Sequence, residues 1–243
     1  MRGLFVTATD TGVGKTVLSA ALLAAMSAAG ERVRAHKPVV TGLHDPDEIA
    51  ARGEWPPDDE LLAAVAGMDP DGVSPYRYGP AVSPHLAAQL AGERIDPEVL
   101  LAHARSVTMP VREADAPLDS SDETVIVEGV GGLLTPLADD YSVCDHALAL
   151  GLPVLIAARP GLGTINHTLL TLTVARTAGL KVLAIVFTPW PERPTAMQRS
   201  NRETIARLGE IEVQGLVRVR HPDPAELCRA GETLPWRRWL DGG

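Results

Sequence analysis

Residues 9–16 read Thr-Asp-Thr-Gly-Val-Gly-Lys-Thr. They lie between an apolar run, residues 3–8, and an Ala/Leu-rich run from Thr16 to Ala29. The apolar run predicts a buried strand and the second run predicts a helix, which Gly30 is placed to end. A Gly-rich loop that ends in Gly-Lys-Thr between a strand and a helix is typical of a P-loop. This stretch therefore predicts an α/β protein that binds a nucleotide.

The residue types of this loop suit phosphate chemistry. Successive backbone N–H groups and the helix N-terminus bind phosphate oxygens, and Gly12 and Gly14 let the backbone curl around the anion. We expect Lys15 to reach the β- and γ-phosphates and the Thr16 hydroxyl to bind Mg²⁺. Thr9 stands where the strict P-loop pattern has its first Gly, so the motif departs from that pattern at one position.

The rest of the chain alternates between strand and helix patterns, which is typical of a parallel sheet covered on both faces. We predict one α/β domain over residues 1–243, with a doubly wound, mostly parallel sheet of the P-loop NTPase type. The other predicted strands cover residues 32–40, 124–127, 153–158, 181–187 and 213–217, and the other predicted helices cover residues 58–66, 84–91, 96–107, 165–178 and 196–208. Residues 44–57 and 108–122 are predicted surface loops, and the tail after about residue 221 has no clear pattern.

Charged residues stand at the ends of two predicted strands. Lys37 lies near the end of the second strand, and Glu128 follows the apolar run 124–127. Because ligands of an open parallel sheet bind beyond the carboxyl ends of its strands, we expect both side chains to face the phosphate site, with Glu128 as a second Mg²⁺ ligand. Asp58 and Asp59 begin a predicted helix, where capping is the ordinary role of an aspartate.

Composition excludes several classes of protein. A hydrophobic content of 45% predicts a packed core, and a net charge of −9 argues against non-specific nucleic-acid binding, which needs clustered Lys and Arg. The two cysteines, Cys144 and Cys228, are too few and too far apart for a disulfide scaffold or a metal motif. The start of the chain lacks the pattern of a signal peptide, and no apolar run approaches the ~18 residues of a membrane span. We expect a soluble, cytoplasmic protein that contacts no membrane.

Five motifs, in order between residues 4 and 171, resemble those of the dethiobiotin synthetase family. The extended P-loop of that family has one extra residue before Gly-Lys-Thr, which accounts for Thr9 and places Ala8 where the first Gly stands. No single motif is decisive, but five in order are highly specific. The motifs are residues 5–16, residues 37–42 (Lys-Pro-Val-Val-Thr-Gly), residues 83–88 (Ser-Pro-His-Leu-Ala-Ala), residues 128–133 (Glu-Gly-Val-Gly-Gly-Leu) and residues 162–167 (Leu-Gly-Thr-Ile-Asn-His).

The resemblance implies an ATP-dependent ring closure in biotin biosynthesis. The family forms the ureido ring of dethiobiotin from 7,8-diaminopelargonate and CO₂, and releases ADP and phosphate. One amine captures CO₂ as a carbamate, ATP phosphorylates the carbamate to a mixed anhydride, and the second amine displaces phosphate. The resemblance also implies ATP as co-substrate, Mg²⁺ as cofactor and a homodimer with substrate at the interface.

The resemblance implies a role for each residue that matches a family motif. The residues implied in catalysis are Lys37, Lys15 and Thr11. The implied Mg²⁺ ligands are Thr16, Asp58 and Glu128, with Asp59 as an alternative to Asp58. The implied nucleotide-binding residues are Gly12, Val13, Gly14, Lys15, Thr16, Val17, Asp58, Glu128, Thr188 and Pro189. The implied substrate-binding residues are Thr41, Ser83, Gly131 and Gly132, with Leu162, Gly163, Ile165 and Asn166 at a helix N-terminus that receives the substrate carboxylate across the dimer.

The sequence departs from the family at the residues expected near the base. Thr188-Pro189 stands where some members have Asn-Asp. Pro has no N–H donor and Thr makes fewer hydrogen bonds than Asn, so the preferred nucleotide stays open. An alternative function is that of a partition- or assembly-type P-loop ATPase that switches a protein partner. Such proteins carry an additional Lys near the start of the P-loop, where Asp10 stands here, and that function leaves Lys37 without a role.

Overall fold

The structure, a computed structural model, describes residues 1–107 and 123–242. Its strands are β1 (Arg2–Ala8), β2 (Arg32–His36), β3 (Val39–Val40), β4 (Tyr76–Arg77), β5 (Glu123–Glu128), β6 (Pro136–Ala138), β7 (Tyr141–Ser142), β8 (Val154–Ala158), β9 (Val182–Trp190) and β10 (Glu212–Val217). Six of them form the main sheet, in the order β10-β9-β8-β1-β5-β2, and every neighbouring pair in it is parallel.

Helices cover both faces of this sheet. They are α1 (Lys15–Ala28), α2 (Pro46–Arg52), α3 (Asp58–Ala66), α4 (Pro70–Val73), α5 (Pro84–Leu90), α6 (Pro97–Ser106), α7 (Val143–Leu150), α8 (Thr164–Thr177), α9 (Ala196–Gly209), α10 (Pro224–Glu232) and α11 (Trp236–Leu240). Side chains of β1 alternate between two apolar cores because successive strand residues point to opposite faces. Leu4 and Val6 join a core with α1, α3, α10 and α11, whereas Phe5 joins a core with α5 to α9. The doubly wound parallel sheet expected from the sequence is confirmed.

The central strands end together at one edge of the sheet. In the pairing of β1 with β5, Val6 lies opposite Glu128, and in its pairing with β8, Ala8 lies opposite Ala157. The Gly129 N–H donates to the Val6 carbonyl at 2.9 Å, so the chain turns away directly after Glu128. The loops that follow β1, β5 and β8 therefore meet at this edge.

The strand predicted over residues 32–40 is wrong as a single element. β2 ends at His36, and Lys37 N–H instead donates to the Val73 carbonyl at 2.9 Å. Pro38 has no N–H with which to continue a ladder, and β3 then pairs with β4 in a separate two-stranded sheet. The break turns the chain out of the main sheet at Lys37.

The surface loop predicted over residues 44–57 is also wrong, because it contains α2. The Asp45 carboxylate accepts hydrogen bonds from the backbone N–H groups of Asp47 and Glu48, and Pro46 occupies the first turn. These are ordinary helix-start signals. The other predicted loop, residues 108–122, lies outside the described residues.

Elements without a clear sequence pattern complete the fold. The hairpin β6–β7 leads into α7, which begins with a capping box between Ser142 and Asp145. The tail after residue 221 contains α10 and α11, and its Trp236 and Trp239 are buried in the core beneath α1. Among the described residues, no helix is long and apolar enough to cross a membrane.

Candidate active site

The P-loop lies between β1 and α1, as the sequence predicts. Gly12 and Gly14 have φ values of 65° and 98°, in the left-handed region that favours glycine. A Cβ atom at Gly14 would also lie 2.9 Å from the Thr188 hydroxyl. The loop therefore needs glycine at Gly14 both for its backbone angle and for the space it shares with β9.

Lys15 is folded across the loop onto neighbouring carbonyls. Its Nζ donates to the Gly131 carbonyl at 2.8 Å and to the Asp10 carbonyl at 3.2 Å. Burial, followed by the nearby charge of Lys37, lowers the pKa of Lys15 from 10.5 to about 8, against the opposing carboxylates. Two neutral carbonyls compensate the charge of this ammonium group only weakly, which suits Lys15 to bind an anion such as a phosphate.

Lys37 lies between two carboxylates. Its Nζ is 2.5 Å from Glu128 Oε1 and 2.7 Å from Asp58 Oδ2. Burial lowers the pKa of Lys37, but the two carboxylates outweigh it and raise the pKa above its usual value. The Thr16 hydroxyl donates to the same Glu128 oxygen at 2.9 Å. The structure thus brings together four side chains that the sequence places far apart.

Asp58 and its neighbour Asp59 point to different partners. Burial raises the pKa of Asp58, but Lys37 and the Thr16 hydroxyl outweigh it and hold the pKa below its usual value. Asp59 is fully buried and pairs with Arg77, whose Nε is 2.7 Å from Asp59 Oδ2. Of the two aspartates, Asp58 is the one that faces the P-loop.

A cavity of about 870 Å³ opens beside this cluster. Ser83 stands at its edge, at the N-cap position of α5, and its hydroxyl makes no capping bond. Glu128 lies buried beneath the cluster, and one of its oxygens, Oε2, is buried without a hydrogen-bond partner. The residues predicted for the site that line the cavity are Thr11, Gly12, Gly14, Lys15, Thr16, Val17, Lys37, Thr41, Asp58, Ser83 and Gly131.

The remaining residues predicted for this end of the sheet support the loop from behind. Val13 is buried, and its carbonyl accepts a hydrogen bond from the buried Thr188 hydroxyl. Gly132 N–H donates to the Thr135 hydroxyl at 2.9 Å. Thr188 and Pro189, which are joined by a cis peptide bond, do not line the cavity. The cavity is therefore at the phosphate end of the site and does not reach the residues expected near the base.

The segment from Leu162 to Asn166 is not brought to this cavity. Leu162, Gly163, Ile165 and Asn166 line a separate, open cavity of about 480 Å³ at the start of α8. Leu162 is 93% exposed. Within one chain, the residues predicted for substrate binding thus form two separate groups.

Sequence reasoning missed two supporting residues. Arg159 donates from Nη2 to the Gly12 carbonyl at 2.8 Å and so bridges the end of β8 to the P-loop. It directly follows a predicted strand, so the rule that strand ends face the ligand could have found it. Asn201 donates to the carbonyls of Pro160 and Gly161, both at 3.1 Å, and holds the loop before α8. No local signal marks a contact between residues so distant in sequence.

The donor atoms at the P-loop fit a magnesium ion. Mg²⁺ prefers oxygen ligands and is commonly held by one or two carboxylates together with phosphate oxygens and water. The Thr16 hydroxyl, Asp58 and Glu128 supply such oxygens, and Glu128 Oε2 is buried without another partner. Among the described residues, no group of three or more His, Cys, Asp or Glu side chains forms a metal site. The set suits a cation that completes its ligands with nucleotide phosphates.

Comparisons with known proteins identify relatives over most of the chain. A family of AAA domains matches residues 2–222. A protein named ATP-dependent dethiobiotin synthetase BioD from Anaeromyxobacter dehalogenans (strain 2CP-1 / ATCC BAA-258) is 42% identical over 232 residues, which cover 95% of each chain. The protein of the same name from Bacillus subtilis (strain 168) is 35% identical over 220 residues, which cover 89% of this chain and 87% of that protein.

Among solved structures, the cell division ATPase MinD of Pyrococcus furiosus superposes with a TM-score of 0.48 and 18% identity, covering all of this chain and 93% of that one. The similarity in sequence to the Anaeromyxobacter dethiobiotin synthetase extends over nearly the whole length of this chain and of that protein. The chain belongs to the ATP-dependent dethiobiotin synthetase family.

Proposed function

We propose that this enzyme closes the ureido ring of dethiobiotin from 7,8-diaminopelargonate, CO₂ and ATP, releasing ADP and phosphate. The observation that carries the proposal is the position of Lys37. It is buried at the break between β2 and β3, beside the P-loop lysine and facing the same cavity. A second lysine at this point gives the site a cation for an acceptor anion as well as for the nucleotide.

The P-loop binds the triphosphate. Backbone N–H groups from Gly12 to Thr16 and the N-terminus of α1 receive the phosphate oxygens. Lys15 exchanges the carbonyls of Asp10 and Gly131 for the β- and γ-phosphates, since a phosphate is the stronger partner for a buried ammonium group. Arg159 donates a hydrogen bond to the Gly12 carbonyl, which fixes this peptide of the loop and leaves its N–H groups for the ligand.

The ring closure uses the carbamate as nucleophile and then as electrophile. One amine of the diamine attacks CO₂ and loses a proton, which gives a carbamate anion. A carbamate oxygen attacks the γ-phosphorus, and the bond to ADP breaks. The second amine then attacks the carbonyl carbon of the mixed anhydride, phosphate leaves with its oxygen, and the amine loses a proton. Negative charge develops between nucleotide and carbamate, where Lys15 and Lys37 stabilise it.

Different residues of this chain bind each reactant. We assign Lys37 and Thr11 to the carbamate and the transferred phosphoryl group, and Thr41, Ser83 and the Gly131–Gly132 turn to the diamine. We assign the Mg²⁺ site to Thr16, Asp58 and Glu128, with Asp58 preferred to Asp59. When bound, Mg²⁺ supplies charge neutralisation for the phosphoryl group that is transferred.

The enzyme acts as a homodimer in this proposal. The start of α8 offers N–H groups for a carboxylate, yet it lies in a different cavity from Lys37 within the chain. Leu162 and Leu170 are 93% and 57% exposed there. A second copy that covers this surface brings Leu162, Gly163, Ile165 and Asn166 to the diamine bound in its neighbour. A cytoplasmic location, expected from the sequence, stays a prediction.

Isotope incorporation tests the proposal. The protein is incubated with 7,8-diaminopelargonate, ATP, Mg²⁺ and ¹³C-bicarbonate, and the product is analysed by mass spectrometry. Dethiobiotin that carries the label in its ureido carbon supports the proposal. Consumption of ATP with no labelled dethiobiotin refutes it and favours a P-loop ATPase that acts on a protein partner.

A further inference from the structure

The helix α2 forms a wall of the main cavity although it buries none of its own residues. Glu48, Ala51 and Arg52 line the cavity from one face of this helix, as the i, i+3, i+4 spacing allows. Trp55 follows on the same wall and packs against the core beside α1 and α3. The position of α2 therefore serves the cavity rather than the core.

Three cations line this cavity, and they differ in their partners. Lys37 lies between two carboxylates, and Lys15 donates to two carbonyls. Within residues 1–107 and 123–242, the guanidinium group of Arg52 makes neither a hydrogen bond nor an ion pair. Glu48, one turn earlier, does not reach it, and the Glu48 stem packs over Gly42 instead. Arg52 is thus the cavity cation that an arriving anion can use without displacing another partner.

The position of the cavity indicates which anion this is. The P-loop residues Gly14 to Val17 line it, whereas Thr188 and Pro189, expected near the base, do not. It therefore holds the terminal phosphate end of the nucleotide. In the proposed function, on which this step rests, the carboxylate of the diamine is received at the start of α8, in the other cavity. Two anions are then expected in this cavity, the carbamate and the γ-phosphate. The carbamate is assigned to Lys37 and Thr11, which leaves the γ-phosphate for the wall formed by α2.

We propose that Arg52 binds the γ-phosphate of ATP and makes the site select a triphosphate over a diphosphate. A planar guanidinium group donates two parallel N–H bonds to phosphate oxygens. Lys15 and Lys37 then share the charge of the phosphoryl group with a third cation, which α2 supplies to the same cavity. Release of phosphate removes the partner of Arg52 and leaves ADP held by the P-loop alone.

Calorimetric titration with Mg-ATP and Mg-ADP, in the absence of diamine and bicarbonate, tests this. In Arg52→Ala, the Kd for ATP should rise by about 10-fold, as for the loss of a hydrogen bond to a charged group, while the Kd for ADP stays unchanged. Arg52→Lys should recover part of the ATP affinity. Glu48→Gln, a charge change on the same face of α2, should leave ATP binding no weaker.

Two results would overturn the proposal. One is an equal loss of ATP and ADP affinity in Arg52→Ala, which would mean that α2 only shapes the cavity. The other is unchanged ATP affinity, with or without a raised KM for the diamine. Since α2 buries no residue, urea unfolding should give the same midpoint for the variants. The titration measures nucleotide binding and needs no ring closure. Its result therefore tests the role of Arg52 even if labelled dethiobiotin is not formed.

Discussion

Lys37 Nζ lies 2.5 Å from Glu128 Oε1, and both side chains are buried. The same carboxylate oxygen accepts the Thr16 hydroxyl, and the same ammonium group pairs with Asp58. A single lysine thus balances the two carboxylates that we assign to Mg²⁺. A cation that binds to these oxygens must therefore alter the ion pairs of Lys37. This coupling connects the Mg²⁺ and nucleotide site to Lys37, which we assign to the carbamate.

Replacement of Lys37 should separate binding from chemistry. In Lys37→Ala, turnover should be abolished, because the carbamate and the transferred phosphoryl group lose their cation, whereas ATP still binds to the P-loop. The free energy of unfolding of this variant should also be lower by about 3 kcal/mol, since Glu128 stays buried without the Lys37 ammonium group. Calorimetry with ATP, beside a turnover assay and urea unfolding, measures the three quantities. Loss of ATP binding in a folded variant would contradict the role of Lys37.

The neighbouring aspartates provide a matched pair for the metal site. Asp58→Asn should raise the Mg²⁺ concentration for half-maximal activity by at least about 10-fold. Asp59→Asn should leave it unchanged, because Asp59 pairs with Arg77. The second variant should instead lose about 1–3 kcal/mol of stability, since the fully buried position 59 loses its charged hydrogen bond to Arg77. A Mg²⁺ titration of turnover compares the two, and a larger effect of Asp59→Asn would exchange their roles.

A buried histidine cluster should make stability depend on pH. His36 Nδ1 lies 3.1 Å from His103 Nδ1, and the His36 and His146 rings are 5.8 Å apart. Tyr141 OH is 3.2 Å from His146 Nδ1, and the backbones of Val73 and Asp71 form hydrogen bonds with His36 and His103. Burial lowers the pKa of all three histidines, and the pKa of His146 falls from 6.5 to about 4. The folded cluster is therefore neutral where unfolded histidines are protonated.

The sign of this dependence follows from proton binding. Below pH 6.5 the unfolded chain binds more protons than the folded one, so stability is full above pH 6.5 and falls as the pH drops toward 4. His146 alone accounts for about 3 kcal/mol over that range. Urea unfolding between pH 7.5 and 5 should show the fall, and His146→Asn should reduce its slope. Carboxylates with lowered pKa change the stability only at lower pH. A stability that does not change between pH 7.5 and 5 would therefore contradict a neutral histidine cluster.

The surface at the start of α8 should control assembly and diamine binding together. Leu162→Asp should shift the protein from dimer to monomer in sedimentation velocity, because an apolar interface does not tolerate an unpaired carboxylate. The KM for the diamine should rise in parallel, while ATP binding is unchanged. Val99→Asp, which changes another exposed apolar residue on α6, serves as control. A dimeric Leu162→Asp variant with an unchanged KM would place the interface elsewhere.

The sequence predicted the main sheet and the phosphate loop because their signals are local. An apolar strand, two glycines, Lys15 and Thr16 stand within a short stretch, and the parallel alternation follows from the remaining apolar runs. The sequence does not reveal the break after His36, because the apolar residues Val39 and Val40 follow so soon after it and the partner of Lys37 N–H is the distant Val73. Only tertiary contact decides where that strand ends.

The supporting contacts of the site also needed the structure. Arg159 reaches Gly12 across 147 positions, and the choice between Asp58 and Asp59 depends on which side of α3 faces Lys37. The start of α2 carried the signals of Asp45 and Pro46, but a helix that buries none of its residues has no apolar stripe to reveal it. Arg52 could not be placed at the cavity for the same reason.

Omission assays on the purified protein test the central claim most directly. ATP, Mg²⁺, bicarbonate and 7,8-diaminopelargonate are supplied together and then left out one at a time, while dethiobiotin and released phosphate are measured in parallel. We predict that both products appear in equal amounts, and only when all four components are present. Phosphate released at the same rate without the diamine, with no dethiobiotin in the complete mixture, would contradict the account.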